Sequence, residues 1–257
     1  MRGLRLCLRL RGRWPLIERP DRPAPELSRK LVDWLQGPRS RALRRAGIGR
    51  RASVLEVGCG HGFVTGELAR RAAGSVVAVD IRPPVGRGPV SRRRPEPRAA
   101  ADARDLPFAD GLFDLVFFQN SLMWIDPPGD AMHEASRVLA PGGVVVALEP
   151  DYGGMIEEPD LGLRVVWLDA LERAGADPTV GRKLPRMAEA AGLDPWVEFA
   201  HIPRPAEPEA LDLLAELPLT VRQRERVEGA REIVAASASE WSVFLHVPWV
   251  MLVACLL

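Results

Sequence analysis

The sequence predicts an α/β fold in which helices cover both faces of a mostly parallel, doubly wound sheet. Three observations lead to this prediction. A short apolar segment over residues 54–57 runs into a glycine turn and then into a helical pattern over residues 63–73. A second apolar segment, residues 75–80, ends in an acidic residue. Further apolar segments then alternate with helical patterns, and that alternation is typical of a sheet of this class.

The composition indicates one globular domain with additions. The chain has 257 residues, of which 47% are hydrophobic, and a formal net charge of +1. A chain of this length can bury a full core, and its balanced charge gives no general attraction to nucleic acid or to a membrane surface. Cys7, Cys59 and Cys255 are too widely spaced for a metal-binding motif, so we predict no metal and a reduced, cytoplasmic protein.

The pattern of residues 1–50 predicts a helical lid region ahead of the main domain. Apolar residues recur there at helical spacing: Leu27, Leu31, Val32 and Leu35. Gly37-Pro38 predicts the end of this helix, because glycine and proline both disfavour its continuation. A second short helix is expected over residues 39–46.

The other end of the chain, residues 241–257, is almost entirely apolar. Its length is at the lower limit for a membrane-spanning helix. Ser242, His246 and Pro248 interrupt it, and the surrounding residues are rich in valine, phenylalanine, leucine and tryptophan. We therefore predict one or two buried strands and no stable membrane insertion.

The glycine turn after the first strand is the most informative motif. Its glycines are Gly58, Gly60 and Gly62, which gives the spacing Gly-x-Gly-x-Gly. The dinucleotide fingerprint has its last glycine one residue later, where this chain carries the bulky Phe63. Glu56 precedes the turn, and a carboxylate there would repel a pyrophosphate but suits a ligand with a positive charge.

This loop resembles motif I of the class I S-adenosylmethionine-dependent methyltransferases, and it is similar to the small-molecule type found in ubiquinone and menaquinone biosynthesis. The resemblance implies S-adenosyl-L-methionine as the cofactor. It also implies that the three glycines form the floor beneath the methionine part. Cys59 lies in the same loop, and we predict that it contacts the cofactor as a small residue that fits there and not as a nucleophile. Glu56 would orient the loop and the amino-acid end of the cofactor.

Asp80 ends the second strand, 18 residues after Gly62. Ligands of open α/β sheets lie at the carboxyl ends of strands, where a carboxylate can accept hydrogen bonds from both ribose hydroxyls. We therefore predict that Asp80 holds the ribose, with Ile81 beside it. The alternative is a turn residue that simply follows a strand.

Residues 82–98 are rich in proline, glycine and arginine. This composition is incompatible with the regular helix that the resemblance implies here, so we predict an irregular loop. The pattern returns after the third strand, where the resemblance assigns the adenine amino group to Asp102 and a ring nitrogen to the amide of Ala103. Asp105 is the nearby alternative to Asp102.

The fourth strand, residues 112–118, is followed by Asn120 and Ser121. Polar residues at the end of a buried strand need a partner, so we predict that both line the cofactor site. A helix over residues 130–139 then leads to Arg-Val-Leu-Ala-Pro-Gly-Gly and to a fifth strand over residues 144–148. This turn is a second resemblance to the small-molecule methyltransferases.

The resemblance implies seven strands in a Rossmann-like order, 3-2-1-4-5-7-6, with strand 7 antiparallel. Residues 51–257 would form this methyltransferase domain, with a helical lid insertion over residues 155–180. The remaining predicted elements are helices over 161–174 and 184–191, strand 6 over 196–202, helices over 211–217 and 221–236, and strand 7 in the apolar tail.

Asp151 and Tyr152 are the candidate catalytic residues, because they follow the carboxyl end of a central strand. The alternative is that residues 149–154 form a polar turn. The predicted reaction is methyl transfer to a small-molecule acceptor by proximity and in-line alignment, with no nucleic-acid partner. The alternatives are an NAD-dependent oxidoreductase, which the glycine spacing disfavours, and a non-catalytic S-adenosylmethionine-binding regulatory protein. The sequence does not indicate the oligomeric state.

Overall fold

The computed structural model describes residues 22–82, 97–200, 205–237 and 240–256. The α-helices in this part of the chain have seven to fifteen residues. They are α1 (Pro25–Trp34), α2 (Gln36–Arg45), α3 (Thr65–Arg71), α4 (Pro128–Val138), α5 (Leu163–Arg173), α6 (Val180–Ala190), α7 (Pro208–Ala215) and α8 (Val221–Ala235). The strands are β1 (Ser53–Val57), β2 (Ser75–Asp80), β3 (Arg98–Ala100), β4 (Phe113–Gln119), β5 (Leu139–Pro150), β6 (Ile156–Glu158), β7 (Leu193–Ala200), β8 (Phe244–His246) and β9 (Trp249–Leu256).

The main sheet has seven strands in the order β3-β2-β1-β4-β5-β9-β7. Strands β1 to β5 pair in parallel, whereas β9 is antiparallel to both β5 and β7. Because β7 and β9 are the sixth and seventh strands of this sheet along the chain, the order is the predicted 3-2-1-4-5-7-6. The predicted fold class is therefore confirmed.

Side chains alternate between the two faces of the sheet, and each face has its own apolar cluster. On β4, Val116 and Phe118 belong to the cluster that includes residues of α4, α5 and α6, whereas Leu115 and Phe117 belong to the cluster that includes residues of α2 and α3. All four side chains are fully buried. A central parallel strand that is buried on both sides is continuously apolar, which explains the run of hydrophobic residues in β4.

Several of the predicted element boundaries are wrong, including the starts of α6 and β7, and two of the differences have a clear physical reason. Gly37-Pro38 lies inside the first turn of α2 and does not end α1; the chain instead bends at Leu35, between the two helices. Proline is tolerated there because the amides of the first turn have no partner within the helix. The fifth strand begins at Leu139, not at residue 144, because Leu139 already pairs with Phe113 before an irregularity in the register.

The predicted helical lid over residues 155–180 is only partly helical. It contains α5, but it begins with β6, which pairs with β8 in a separate antiparallel sheet of two strands. Pro248 separates β8 from β9, so the apolar tail forms two strands as predicted. The sequence signal missed β6 because a three-residue strand is too short to show a period.

Several predictions concern residues outside the described part of the chain. They include most of the predicted irregular loop, which falls on residues 83–96, the end of the predicted strand 6, and Cys7. Within the described residues, no helix is both long enough and apolar enough to cross a membrane. The division of the chain at residue 50 stays a prediction.

Candidate functional site

A cavity of about 260 Å³ opens at the carboxyl ends of β1, β2 and β4. We call it the cofactor-side cavity. Most of the residues predicted to bind the cofactor line it: Glu56, Gly58, Cys59, Gly60, Asp80, Ile81, Asp102, Ala103, Asn120 and Ser121. Gly62 does not line it. The topology thus brings together residues that are far apart in sequence, because parallel strands end at the same edge of the sheet.

Glu56 lies near the end of β1 and is almost fully buried. The hydroxyl of Thr65, at the start of α3, donates a 2.5 Å hydrogen bond to its Oε2 atom. The carboxylate therefore ties the end of β1 to the helix that follows the glycine turn. Cys59 is also buried in this turn, and burial raises the pKa of its thiol, so the thiol stays protonated and is a poor nucleophile.

The three glycines of the turn all have positive φ, but their surroundings differ. A Cβ atom on Gly58 would lie 2.4 Å from the Cβ of Ser121, so only glycine fits there. A Cβ atom on Gly60 would meet no atom within 4 Å. Gly62 faces the guanidinium of Arg98, which a Cβ atom would approach to 2.5 Å. The open space in the turn is thus at Gly60.

Asp80 is the centre of a hydrogen-bond network at the end of β2. Its Oδ2 atom accepts a 2.8 Å hydrogen bond from the amide of Gly60. Its Oδ1 atom accepts hydrogen bonds from the amide of Arg82 at 3.0 Å and from the guanidinium of Arg22 at 2.6 Å. The carboxylate therefore holds the glycine turn in place, and the Arg22 side chain reaches it from the N-terminal segment.

Asp102 is 3% exposed and lines the same cavity. Arg104 donates to it from the backbone amide at 2.9 Å and from the guanidinium at 2.8 Å. Asp105, the alternative proposed from the sequence, is exposed and does not line the cavity. The geometry thus favours Asp102 over Asp105 as a ligand-facing group.

The N-terminal segment, which the sequence predicts to be a lid region, lines the cofactor-side cavity. The lid role itself stays a prediction. Pro23, Ser28, Leu31 and Val32 line the cavity together with Arg22. The ring of His61, in the glycine turn, donates to the carbonyl of Pro23 at 3.1 Å. The helical spacing showed that α1 has an apolar side, but it could not show which surface this side contacts.

Asn120 and Ser121 follow β4, and Asn120 has a φ of 52°, which is uncommon for a residue other than glycine. The amides of Ser121 and Leu122 donate to Oε1 of Glu149 at 2.9 and 3.0 Å. Glu149 is 0% exposed, and burial raises its pKa to about 7. Its Oε2 atom and the hydroxyl of Ser121 have no hydrogen-bond partner among the described residues.

The two candidate catalytic residues do not line the cofactor-side cavity. Asp151 is buried and accepts a 2.8 Å hydrogen bond from Arg182. Tyr152 stacks on Trp167 with 4.8 Å between the ring centroids, and burial raises the pKa of its phenol. Their catalytic roles stay predictions.

Tyr152 lines a second cavity, of about 110 Å³, which we call the aromatic cavity. Its other lining residues are Leu31, Trp34, Leu35, Met155, Trp167, Pro205, Glu207, Ala210, Leu213, Leu245, His246, Val247 and Trp249. Leu31 of α1 lines both cavities, so the two cavities are neighbours.

Comparisons with known proteins identify the central part of the chain. Residues 55–147 match the methyltransferase domain family. The chain is 37% identical to a malonyl-[acyl-carrier protein] O-methyltransferase of Pseudescherichia vulneris over 47% of this chain and 45% of that protein. It is 27% identical to the methyltransferase GfsG of Streptomyces halstedii over 92% of this chain and 82% of that protein. The chain spans about half the length of the curated relatives that it matches first.

Among solved structures, the fold is similar to that of a geranyl diphosphate methyltransferase in complex with GPP and sinefungin. The TM-score is 0.56 at 19% identity, over 85% of this chain and 76% of that one. The predicted resemblance to the class I S-adenosylmethionine-dependent methyltransferases is confirmed, and so is the predicted cofactor.

Proposed function

We propose that this chain, whose residues 55–147 are a methyltransferase domain, transfers a methyl group from S-adenosylmethionine to a small-molecule acceptor. The observation that supports this proposal best is the cofactor-side cavity, where three carboxylates and a glycine turn meet. Glu56, Asp80 and Asp102 all line this cavity. None of the residues that the structure describes favours the oxidoreductase alternative.

The residues of the cavity suit the chemistry of this cofactor. S-adenosylmethionine carries a sulfonium, an ammonium group, two ribose hydroxyls and an adenine amine, which are all positive charges or hydrogen-bond donors. Carboxylates complement such groups, and a charged acceptor forms the stronger hydrogen bonds. The hydroxyl of Ser121, which has no partner among the described residues, adds a further polar group to the same wall.

When bound, the cofactor would supply an electrophilic methyl group: the acceptor's lone pair would form the new bond while the carbon–sulfur bond breaks and its electrons stay on sulfur. A proton on the attacking atom, where there is one, leaves to a base or to water. The protein positions the acceptor against the methyl group and excludes water. Good positioning alone can lower the activation free energy by about 7–11 kcal/mol. The cover formed by α1 serves both purposes in this proposal.

Arg22 has to move, or share its partner, when the ribose binds. A carboxylate offers about four acceptor positions, and Asp80 already accepts from Gly60, Arg82 and Arg22. Two ribose hydroxyls therefore require a position that Arg22 occupies. Because Arg22 lies before α1, we propose that cofactor binding and the placing of this cover are linked.

We expect Asp80→Ala to weaken S-adenosylmethionine binding by tens of fold and Asp102→Ala to weaken it as well. Loss of a hydrogen bond to a charged group costs about 1.5–3 kcal/mol, which corresponds to roughly 10- to 150-fold. Isothermal titration calorimetry measures the effect. Asp194→Ala is the control, since Asp194 is exposed on β7, away from the cavity. Wild-type affinity in both cavity variants would contradict the assigned nucleoside contacts.

We expect Tyr152→Phe and Asp151→Asn to lower turnover on the true acceptor and to change cofactor affinity by no more than about threefold, or ~0.65 kcal/mol. The reason is that neither residue lines the cofactor-side cavity, whereas Tyr152 lines the neighbouring aromatic cavity. Turnover and cofactor binding are measured separately. Unchanged turnover in both variants would show that residues 149–154 form a turn without a catalytic role.

One experiment separates the proposed function from its alternatives. Calorimetry against S-adenosylmethionine, its demethylated product and NAD should show binding of the first two only. NAD binding alone would favour an oxidoreductase. Tight binding of the cofactor without transfer to any member of a small-molecule panel would favour a non-catalytic binding protein.

A further inference from the structure

The aromatic cavity has a composition that selects the kind of molecule it can hold. Its walls include Trp34, Tyr152, Trp167 and Trp249, together with several aliphatic side chains. Aromatic side chains provide large apolar surfaces with few rotatable bonds, so they favour flat apolar ligands. The cavity volume of about 110 Å³ is somewhat below the ~150 Å³ of an engineered apolar cavity that binds benzene in another protein. A single ring is therefore the size that fits best.

Three polar side chains line this cavity, and none of its described lining residues is a lysine or an arginine. Glu207 accepts a 3.0 Å hydrogen bond from the indole of Trp34. His246 is 6% exposed. The phenol of Tyr152 makes no hydrogen bond to the described residues, so it is available to a ligand. Its burial raises the pKa, which keeps the hydroxyl protonated and able to donate.

These groups disfavour an acidic ligand. A buried carboxylate is costly unless a cation or several donors compensate it. In this cavity a second carboxylate would instead lie near that of Glu207 and would be surrounded mainly by aromatic and aliphatic walls. A malonyl group, which the name of one relative mentions, carries such a carboxylate. The charge of the cavity thus differs from what that acceptor requires.

The position of the cavity connects it with methyl transfer. Leu31 is a wall of both the aromatic cavity and the cofactor-side cavity. Tyr152 follows β5, and β5 pairs with β4, which ends at the residues that line the cofactor-side cavity. A ligand in the aromatic cavity would therefore lie next to the cofactor, with Leu31 of α1 lining both sites.

From these observations we propose that the aromatic cavity is the acceptor site and that it takes a neutral, apolar acceptor about the size of one ring, bearing a hydroxyl or similar group that hydrogen-bonds to Tyr152. This inference rests on the proposed methyltransferase function. It names the acceptor class of that function: uncharged and largely aromatic or cyclic, not a carboxylate.

The test uses two small probes that each carry one benzene ring, phenol and benzoate, at a pH where phenol is neutral and benzoate is ionised. Binding to the full chain is followed by saturation-transfer NMR and quantified by titration. We expect saturable phenol binding and at least about tenfold weaker benzoate binding, the ratio that ~1.4 kcal/mol produces. Equal or tighter benzoate binding, or no saturable phenol binding, would overturn the proposal.

A pair of variants on α7 locates the binding site. Ala210 lines the aromatic cavity, whereas Ala215, on the same helix, does not. Ala210→Trp should fill the cavity and abolish phenol binding, and Ala215→Trp should leave it unchanged. Thermal melting of both variants verifies that they are folded. Phenol binding that survives in folded Ala210→Trp would place the probe elsewhere and overturn the proposal.

Calorimetry with S-adenosylmethionine on the same samples distinguishes a failure of the proposed function from a failure of the proposed acceptor class. Ala210 does not line the cofactor-side cavity, so Ala210→Trp should bind the cofactor as the wild type does. If the wild type fails to bind the cofactor but binds phenol as described, the proposed function fails and the ligand class of the cavity stands. If the cofactor binds and benzoate is preferred to phenol, only the acceptor class fails.

Discussion

Gly60→Val is expected to abolish S-adenosylmethionine binding, with an affinity loss of at least about 100-fold, while the fold is retained. Gly60 lines the cofactor-side cavity, and an added Cβ atom meets no atom within 4 Å. The valine side chain would therefore occupy open space at the cavity wall without a clash within the protein. The backbone at Gly60 has a φ of 51°, which a β-branched residue such as valine rarely adopts. Relaxation of this strain, which costs about 1–3 kcal/mol, would also disturb the amide that donates to Asp80.

Gly192→Val is the matched control for this variant. Gly192 also has a positive φ, 75°, and open space around its Cβ position, but it lies after α6 and does not line the cavity. Both variants carry comparable backbone strain, so their melting temperatures should fall by similar amounts. Only Gly60→Val should lose cofactor binding in calorimetry. Wild-type affinity in a folded Gly60→Val protein would exclude the turn from the cofactor site.

The elements of the central sheet could be predicted from the sequence because parallel, buried strands leave a strong local signal. β2 was predicted with its observed bounds, and the acid at its end lies at the edge of the sheet where a ligand-facing carboxylate belongs. The short β6 could not be found, since three residues show no period and its partner β8 is far along the chain. Likewise, the first turn of α2 tolerates Pro38, which a local rule treats as a break.

Residues of the candidate site could be predicted where a single sequence motif places several of them. They could not be predicted where a contact depends on how distant segments pack together. The glycine turn identified Gly58 and Gly60, but the same spacing also included Gly62, which faces Arg98 instead of the cavity. Arg22 could not be found, because no local pattern shows that an arginine ahead of α1 reaches the carboxylate at the end of β2.

Glu149 is a second residue whose role no local pattern predicts: it is a buried carboxyl group that accepts two backbone hydrogen bonds. In the sequence it belongs to the polar segment 149–154, in which Asp151 and Tyr152 are the predicted catalytic residues. In the structure it lies within the sheet, fully buried, and accepts the amides of Ser121 and Leu122. It therefore fixes the loop that follows β4, and Ser121 of that loop lines the cofactor-side cavity and touches the Gly58 position.

Glu149→Leu is expected to lower the free energy of unfolding by about 2–6 kcal/mol, because two buried amides lose their acceptor at about 1–3 kcal/mol each. The loop would then shift, and cofactor affinity should fall with it. Urea denaturation measures the first effect and calorimetry the second. Glu189→Leu is the control, since Glu189 is exposed on α6. Stability within experimental error of the wild type would show that other groups, or water, satisfy the loop amides.

The pH dependence provides a separate test of the same carboxyl group. Burial raises the pKa of Glu149 from its ordinary 4.5 to about 7. Between these values the folded chain keeps a proton that the unfolded chain has released, so the contribution of Glu149 to stability falls as the pH rises through this window. At about 1.36 kcal/mol per pH unit, the loss is on the order of 3 kcal/mol. Glu149→Gln keeps an acceptor oxygen but cannot titrate. We therefore expect its stability to decline less than that of the wild type from pH 4.5 to 7. Parallel curves for the two proteins would show that the pKa of Glu149 is not raised in the folded chain.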